Sequence, residues 1–339
     1  MGKSESPAPL GTSDLLELSG PGYAAAEVSP LSAQPFLLLD AQAGELTEAG
    51  QKQIAQWLRQ LPCPVLGIAA ADDRNPVAFA CDALLPGVAA AQPLINNIRR
   101  SPMAAAALTQ VLRVTAELPI AKALTVESLA YSMLQSGPEF GRWLEGRRPA
   151  SPPPAEDGAP VALQRDGETL TLELNRPANH NAMSVEMRDA LVEALQLVLA
   201  DSSIRSVRIS GRGKCFSTGG DLSEFGTLPD PATAHFVRCL AVPGRYLAQC
   251  AARAEVFVHG ACIGSGIEFP AFARRVVARA DAHFQLPELR FGLIPGAGGC
   301  VGIARRIGRQ RTAWLALSGK RINAATALEW GLVDAVQAE

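Results

Sequence analysis

Two spacings of apolar residues recur along the chain, and each predicts a different element. Residues 36–40 and 64–70 are short apolar runs, whereas residues 47–60 between them carry Ile54 and Leu58 at helical spacing. A strand, a helix and a strand in this order predict a pair of parallel strands. The first third of the chain therefore begins as a small α/β unit.

From residue 95 to residue 145 the pattern is helical throughout. Ser101 followed by Pro102 is typical of a helix N-cap and first turn, and Pro119 and Pro138 indicate further helix boundaries. We therefore expect a run of helices to follow the first α/β unit.

The segments before and after this α/β and helical region differ from it in amino-acid composition. The first 30 residues are rich in Ser, Pro, Gly and Ala, which predicts a loosely ordered segment, and a stretch with three consecutive prolines is typical of a linker. The predicted organisation is a lead-in over 1–30, an N-terminal domain over 31–146, a linker over 147–160 and a second domain over 161–339.

Beyond the linker, short strands alternate with helices. Asp166-Gly167 lies between two apolar runs and predicts a tight hairpin turn. Ser184 is suited to cap a helix whose apolar face includes Met187 and Leu191. The alternation predicts an α/β fold for this half.

Two later strands each run into a glycine-rich loop. A strand near residue 209 leads to residues 216–221, and residues 256–258 lead to residues 260–266. Neither loop has the spacing of a Walker or dinucleotide-binding loop, so phosphate binding is disfavoured. Two loops that each present one backbone N–H group could instead form an oxyanion hole, which polarises a carbonyl and stabilises an enolate.

Charge and cysteine content exclude several classes of partner. The net charge is -2 and the 31 Lys and Arg residues are scattered, which disfavours nucleic acid, while no apolar run reaches the roughly 18 residues that a membrane span needs. The seven cysteines and four histidines lack zinc-ligand spacing, so we expect free buried thiols and no metal. We expect a cytoplasmic protein that binds a small molecule.

Several motifs in the second half resemble those of the crotonase, or enoyl-CoA hydratase/isomerase, superfamily. The resemblance covers about residues 161–339 and depends on the order of the motifs, which are Leu174-Asn-Arg-Pro177, Asn181-Ala-Met183, Cys215–Leu222, His259–Glu268, Leu286–Gly299 and Gly331-Leu-Val-Asp334. It implies an α/β fold with a crotonase-like ββα-repeat spiral core, preceded here by a smaller α/β and helical N-terminal domain. It also implies a trimer or a hexamer.

The resemblance implies a role for each matching residue. Gly220 and Ser265 would supply the oxyanion-hole N–H groups, Glu268 would activate water, and Glu288 would exchange the proton on the α-carbon. The substrate would be a coenzyme A thioester, with no bound cofactor. Its other contacts would come from Phe216, Ser217, Thr218, Gly219, Asp221, Leu222, Gly264 and Gly296.

The resemblance predicts a lyase that hydrates a 2-enoyl-CoA, and three alternatives stay open. The same fold supports double-bond isomerisation and thioester hydrolysis, in which one of the two glutamates could have no catalytic role. A non-catalytic CoA-binding scaffold is the third alternative. The alternative to a catalytic role is that Glu268 and Glu288 are surface or helix-capping residues, although Glu268 lies between the apolar Ile267 and Phe269.

The first half contains segments that resemble the helices at the end of a crotonase chain. These segments include residues 98–106, 124–127 and 136–140, while residues 36–82 resemble a degenerate copy of the core without its glycine loops. One hypothesis is that the first half is a shortened, inactive crotonase-like unit whose helices serve the active core that follows it in the chain. The alternative is an unrelated helical domain.

Overall fold

The computed structural model describes residues 8–20, 27–42, 44, 46–147 and 156–338. The N-terminal half begins with a small sheet of three parallel strands in the order β1-β2-β3, which confirms the predicted parallel pair. Its elements are α1 (Thr12–Leu18), β1 (Leu37–Asp40), α2 (Glu48–Gln60), β2 (Val65–Ile68), α3 (Pro76–Ala80) and β3 (Ala83–Leu85).

The described part of the predicted lead-in contains ordered structure. Helix α1 buries Leu15 completely, and Leu10 pairs with Leu39 of β1 through two backbone hydrogen bonds of 2.9 Å. Burial of an apolar side chain and strand pairing stabilise this segment despite its polar composition. The expectation of a loosely ordered lead-in therefore does not describe residues 8–20.

Four helices follow: α4 (Val88–Arg100), α5 (Pro102–Thr115), α6 (Ile120–Gln135) and α7 (Pro138–Gly146). Their boundaries at Pro102, Pro119 and Pro138 confirm the predicted breaks, although the helical region begins at residue 88. Ser101 does not cap α5 with its side chain, because its hydroxyl donates to the carbonyl oxygen of Leu289 at 2.8 Å. The carboxylate of Glu139 accepts the first-turn amides of α5 instead.

The second half is built on a six-stranded sheet in the order β12-β9-β7-β6-β5-β4 and a three-stranded sheet in the order β11-β10-β8. Every pairing in the larger sheet is parallel except the β4–β5 hairpin. The strands are β4 (Val161–Asp166), β5 (Thr169–Leu174), β6 (Ser206–Gly211), β7 (Ala254–Val258), β8 (Ala261–Ile263), β9 (Arg275–Arg279), β10 (His283–Gln285), β11 (Ile322–Asn323) and β12 (Ala335–Gln337).

The helices of this half are α8 (Val185–Ala200), α9 (Pro231–Ala241), α10 (Pro243–Gln249), α11 (Ser265–Glu268), α12 (Gly299–Ile307), α13 (Arg309–Ser318) and α14 (Ala324–Trp330). Two local predictions are confirmed. The β4–β5 turn places Gly167 at a φ of 55°, and the hydroxyl of Ser184 accepts the Met187 amide at 3.2 Å to cap α8.

The larger of two buried apolar clusters contains residues of both halves, whereas the smaller one, which includes Leu15, Ile54 and Leu58, lies within the N-terminal half. Leu108 and Leu124 belong to the same buried cluster as Phe269 and Ile303. Helices α4 and α5 pack on α13, while α5 and α6 pack on α12, and α6 also packs on α9. The helices of the N-terminal half are therefore packed against the second half, although most of the predicted linker lies outside the described residues.

Other predictions concern cysteines and membrane spans. All seven cysteines are free thiols, six of them buried and Cys239 half-buried, as expected. Across the ranges that the structure describes, no cluster of three or more potential metal ligands occurs, and no helix is long and apolar enough to cross a membrane.

Candidate active site

The two predicted glutamates follow the ends of neighbouring parallel strands. Strand β8 pairs in parallel with β10, with Ile263 opposite Gln285, and the Gly264 amide donates to the Gln285 carbonyl at 2.9 Å. Glu268 is the last residue of α11, directly after β8, and Glu288 begins a short 3-10 turn after β10. The carboxyl ends of parallel strands meet at one edge, so 20 residues of sequence separation become a close spatial pair.

Gly264 lies between the two carboxyl groups. A methyl group built on it would be 2.8 Å from Glu288 Oε1 and 3.7 Å from Glu268 Oε1, so these oxygens are at most 2.8 plus 3.7, or 6.5 Å, apart. Gly264 also has a φ of 49°, which disfavours any residue with a side chain. A glycine is therefore required where the chain passes between the glutamates.

Backbone hydrogen bonds hold the two glycine-rich loops against each other. The Ser217 amide donates to Ala261 and the Ile263 amide donates to Ser217, each at 3.1 Å. Gly220 and Ser265 both line the cavity beside these bonds. Within the described ranges no acceptor is found for the N–H of Gly220, and Ser265, as the first residue of α11, has no acceptor within that helix.

Glu268 is buried and accepts two backbone amides. Its Oε2 accepts the N–H groups of Ala297 at 2.8 Å and Gly299 at 2.9 Å. Burial raises the pKa of Glu268 to about 7, against the effect of these two amides, which favour the ionised form. Glu268 can therefore gain or lose a proton near neutral pH.

Glu288 is also buried, but one of its oxygens has no partner. Its Oε2 finds no hydrogen bond among the described residues, and it lines the same cavity as Glu268. Burial, followed by the charge of Glu268, raises the pKa of Glu288 well above its ordinary value. Two coupled carboxyl groups in such surroundings share a proton, and the weaker solvation of Glu288 favours its keeping that proton.

The glutamates open into a cavity of about 660 Å³. Ten of the twelve predicted site residues line it, namely Thr218, Gly219, Gly220, Asp221, Leu222, Gly264, Ser265, Glu268, Glu288 and Gly296. Phe216 and Ser217 do not. Both are fully buried behind the wall, where Phe216 packs on Phe269 and the Ser217 hydroxyl donates to the Asn181 carbonyl at 2.7 Å, so they position the loop.

The N-terminal half supplies part of the cavity wall, which the site prediction did not include. Tyr131 and Gln135 on α6 and Phe140 and Leu144 on α7 line it. The Tyr131 ring lies so close to Gly296 that a methyl group built there would be 2.3 Å from a ring carbon. The signal available in the sequence was the resemblance of these helices to the end of a crotonase chain.

The larger sheet, the paired glycine loops and the buried carboxyl pair define a crotonase-like α/β enzyme. Residues 165–339 match the enoyl-CoA hydratase/isomerase family. The chain belongs to that family, and its fold is the crotonase fold.

Three proteins illustrate the similarity. The chain is 34% identical over 183 residues to the 2,3-dehydroadipyl-CoA hydratase of Escherichia coli, which aligns 52% of this chain with 68% of that protein. It is 34% identical over 168 residues to the 1,2-epoxyphenylacetyl-CoA isomerase of E. coli, covering 48% and 64% of the two chains. The crystal structure of a Mycobacterium smegmatis enoyl-CoA hydratase superimposes with a TM-score of 0.50 at 31% identity, over 53% and 71% of the chains.

Proposed function

We propose that this enzyme reversibly hydrates a 2-enoyl-CoA to a 3-hydroxyacyl-CoA. The observation that supports hydration over other reactions of the family is the presence of two buried carboxyl groups in one cavity. Hydration needs one group to take a proton from water and another to give a proton to carbon. Glu268 and Glu288 satisfy this requirement.

The thioester carbonyl would accept hydrogen bonds from the N–H groups of Gly220 and Ser265. Because both donors are main-chain groups held by the paired loops, they need no reorganisation as negative charge develops on the oxygen. An oxyanion hole of this kind stabilises the enolate formed when water adds to the β-carbon.

The surroundings of the two glutamates suggest which of them is ionised. Glu268 accepts two amides and would be the base, whereas Glu288 lacks a partner for Oε2 and would be the acid. As the water oxygen bonds to the β-carbon, its O–H bond breaks and that proton passes to Glu268. The carbon–carbon double bond becomes an enolate, and Glu288 then gives its proton to the α-carbon. Transfer of the proton from Glu268 to Glu288 then restores the starting protonation states of both carboxyl groups.

The rest of the cavity would hold the coenzyme and the acyl chain. Thr218, Gly219, Asp221 and Leu222 are suited to contact the thioester arm along the first loop, with Phe216 and Ser217 supporting them from behind. Helices α7 and α9 both contribute apolar side chains to the cavity wall, among them Phe140, Leu144 and Val237. This part of the cavity would accept the acyl chain.

Double-bond isomerisation is the second candidate, because the family that residues 165–339 match includes enoyl-CoA isomerases as well as hydratases. Moving a double bond needs only one group to carry a proton between two carbons, so the second glutamate would have no role. The burial of both carboxyl groups beside the oxyanion loops favours hydration, because an unused buried carboxyl group would lower stability without benefit.

A substrate comparison with the full-length protein tests the proposal. We expect trans-2-enoyl-CoA substrates, namely crotonyl-CoA and longer homologues, to be hydrated faster than 3-enoyl-CoA substrates are isomerised, and saturated acyl-CoA to release no free thiol. Loss of absorbance at the enoyl thioester and chromatographic detection of the 3-hydroxyacyl product measure the first reaction. Faster turnover of the 3-enoyl-CoA, or release of coenzyme A, would contradict the proposal.

A further inference from the structure

Helix α6 places a third glutamate beside the pair. The Glu127 side chain is 1% exposed and comes from the N-terminal half. Its Oε1 accepts the amide of Gly298 at 2.7 Å, and its Oε2 accepts the amide of Cys300 at 2.8 Å. Both donors belong to the start of α12, which also binds Glu268.

The two carboxylates bind alternate amides of one turn. Glu268 Oε2 accepts Ala297 and Gly299, while Glu127 accepts Gly298 and Cys300. Four consecutive N–H groups at a helix N-terminus, which have no partners within the helix, are therefore divided between two carboxylates from opposite halves of the chain.

We propose that Glu127 is a positioning residue for the hydration reaction. It fixes the first turn of α12, which in turn holds Glu268 Oε2. Glu268 Oε1 then stays on the side of Gly264, where Glu288 Oε1 also lies. Glu127 does not line the cavity and so does not touch substrate. The expected effect of Glu127 on the rate of hydration rests on the proposed function. Its hydrogen bonds to α12 and its effect on the pKa of Glu288 do not.

Helix capping alone does not account for this arrangement. Two buried carboxylates at one helix end repel each other, and burying each of them is costly, whereas a serine or a threonine would cap the helix without added charge. Helix α5 shows the simpler arrangement, in which Glu139 alone accepts the first-turn amides of Met103 and Ala104 at 2.8 and 3.0 Å. At α12, Glu127 accepts two further amides that Glu268 does not bind, and it does so with a second buried carboxyl group beside the proposed catalytic pair.

The charged and titratable groups around Glu127 determine in which direction the substitution of Glu127 shifts the pKa of Glu288. They are Glu268 on α11, Glu288 after β10, Tyr131 on α6, Arg238 on α9 and Cys300 on α12. Burial, followed by the charge of Glu268, raises the pKa of Glu127 itself well above its ordinary value. When Glu127 is ionised, its charge is a third cause, after burial and the charge of Glu268, of the raised pKa of Glu288. Removing that charge lets Glu288 lose its proton at lower pH, so the alkaline limb of the hydration rate moves down.

The decisive comparison is Glu127→Gln against Glu139→Gln. Each replaces one buried carboxylate that accepts two helix amides, but only the first lies beside the catalytic pair. For E127Q we expect kcat to fall roughly 10- to 100-fold with little change in KM, and the alkaline limb of the pH profile to move down by about half a unit or more. For E139Q we expect a similar loss of melting temperature with kcat and the pH profile unchanged.

An infrared titration without substrate separates this inference from the proposed function. The carbonyl-stretch band of protonated Glu288, identified as the band that Glu288→Gln removes, is expected to titrate at lower pH in E127Q than in the wild-type protein, and at wild-type pH in E139Q. An unmoved band and pH profile in E127Q would overturn the role of Glu127 even if hydration is confirmed. If the wild-type protein hydrates nothing, the proposed function fails and the band still decides whether Glu127 acts on the pair.

A shorter acid covers the case in which E127Q does not fold. Glu127→Asp keeps the charge but cannot reach both amides, so we expect kcat to fall while the pH limbs stay in place. The matched variant Glu139→Asp is expected to keep the wild-type kcat. Equal kcat in the two aspartate variants would overturn the positioning role.

Discussion

Two clusters of buried charge lie where the halves of the chain meet, and they are built in opposite ways. In the first, the fully buried Asp82 carboxylate accepts Arg113 Nε and, from the second half, Arg309 Nη1, each at 2.9 Å, and the Val65 amide at 2.8 Å. In the second cluster, the buried carboxyl groups of Glu127, Glu268 and Glu288 lie close enough to affect one another's pKa, and Glu288 Oε2 has no partner among the residues described.

We infer from this difference that the first cluster is structural, and it supports the proposal that the second is catalytic. Opposite charges with all oxygens hydrogen-bonded offset the cost of burial, so the Asp82 cluster joins the halves. Like charges do not offset the cost of burial, so burial raises the pKa of the carboxyl groups of Glu268 and Glu288 instead. Groups with strongly displaced pKa values in a cavity are typical of catalytic sites.

The largest expected effect on stability comes from removing the charge at Asp82. Asp82→Asn leaves two partly buried arginines without their shared carboxylate and turns an acceptor into a donor. We expect the free energy of unfolding to fall by about 3 to 5 kcal/mol, measured by urea denaturation.

Asp281→Asn is the matched control for that change. Asp281 pairs with Arg279 at the surface, with side chains 34% and 42% exposed, so its loss is expected to lower the free energy of unfolding by less than about 1 kcal/mol. Equal losses for the two variants would show that the Asp82 cluster contributes no more than a surface pair.

In the proposed catalytic cluster, removing a carboxyl group is expected to raise the free energy of unfolding rather than lower it. The pKa of Glu288 is raised in the folded state, so its contribution to stability is fully present below the unfolded value of about 4.5 and is lost as pH rises through the folded value. Glu288→Gln removes this titration. We expect the variant to match the wild-type protein near pH 4 and to exceed it by about 1 to 3 kcal/mol near pH 8.

Thermal unfolding followed by circular dichroism across this pH range provides the measurement. A constant difference between E288Q and the wild-type protein at every pH would contradict the assignment of a raised pKa. A lower stability of the variant at pH 8 would show that the Glu288 carboxyl group contributes to the fold as the Asp82 carboxyl group does.

The smallest effect is expected at Ser265. Its hydroxyl is buried without a partner, and the proposed oxyanion donor is its main-chain N–H. Ser265→Ala keeps that N–H, so we expect kcat for hydration to stay within about threefold of the wild-type value. A loss of about 100-fold, the size expected for removal of an oxyanion-hole donor, would show that the hydroxyl itself binds the thioester oxygen.

The second half of the fold was largely predictable because its signals are local. The turn at Gly167, the cap at Ser184 and the strands before each glycine loop depend on neighbours in sequence. Glu268 and Glu288 could be paired from motif order, and the parallel β8–β10 pairing explains their proximity.

The remaining features depend on contacts between distant residues. The resemblance of residues 124–127 to a helix at the end of a crotonase chain made contact with the second half one of two hypotheses. It did not indicate that Glu127 would bind the start of α12, some 170 residues later. Similarly, the local pattern at Ser101 predicts a cap, but the hydroxyl turns to Leu289 because Glu139 occupies the capping position. Whether the N-terminal half descends from a degenerate crotonase unit stays a hypothesis.

The central claim is that Glu268 and Glu288 act together in hydration, and kcat for a 2-enoyl-CoA in Glu268→Gln, Glu288→Gln and the double variant tests it most directly. We expect each single substitution to lower kcat by roughly 10²- to 10⁴-fold, and the double variant to be little slower than the slower single variant, because the two groups act as a unit. Hydration that survives both substitutions at near wild-type kcat would contradict the account.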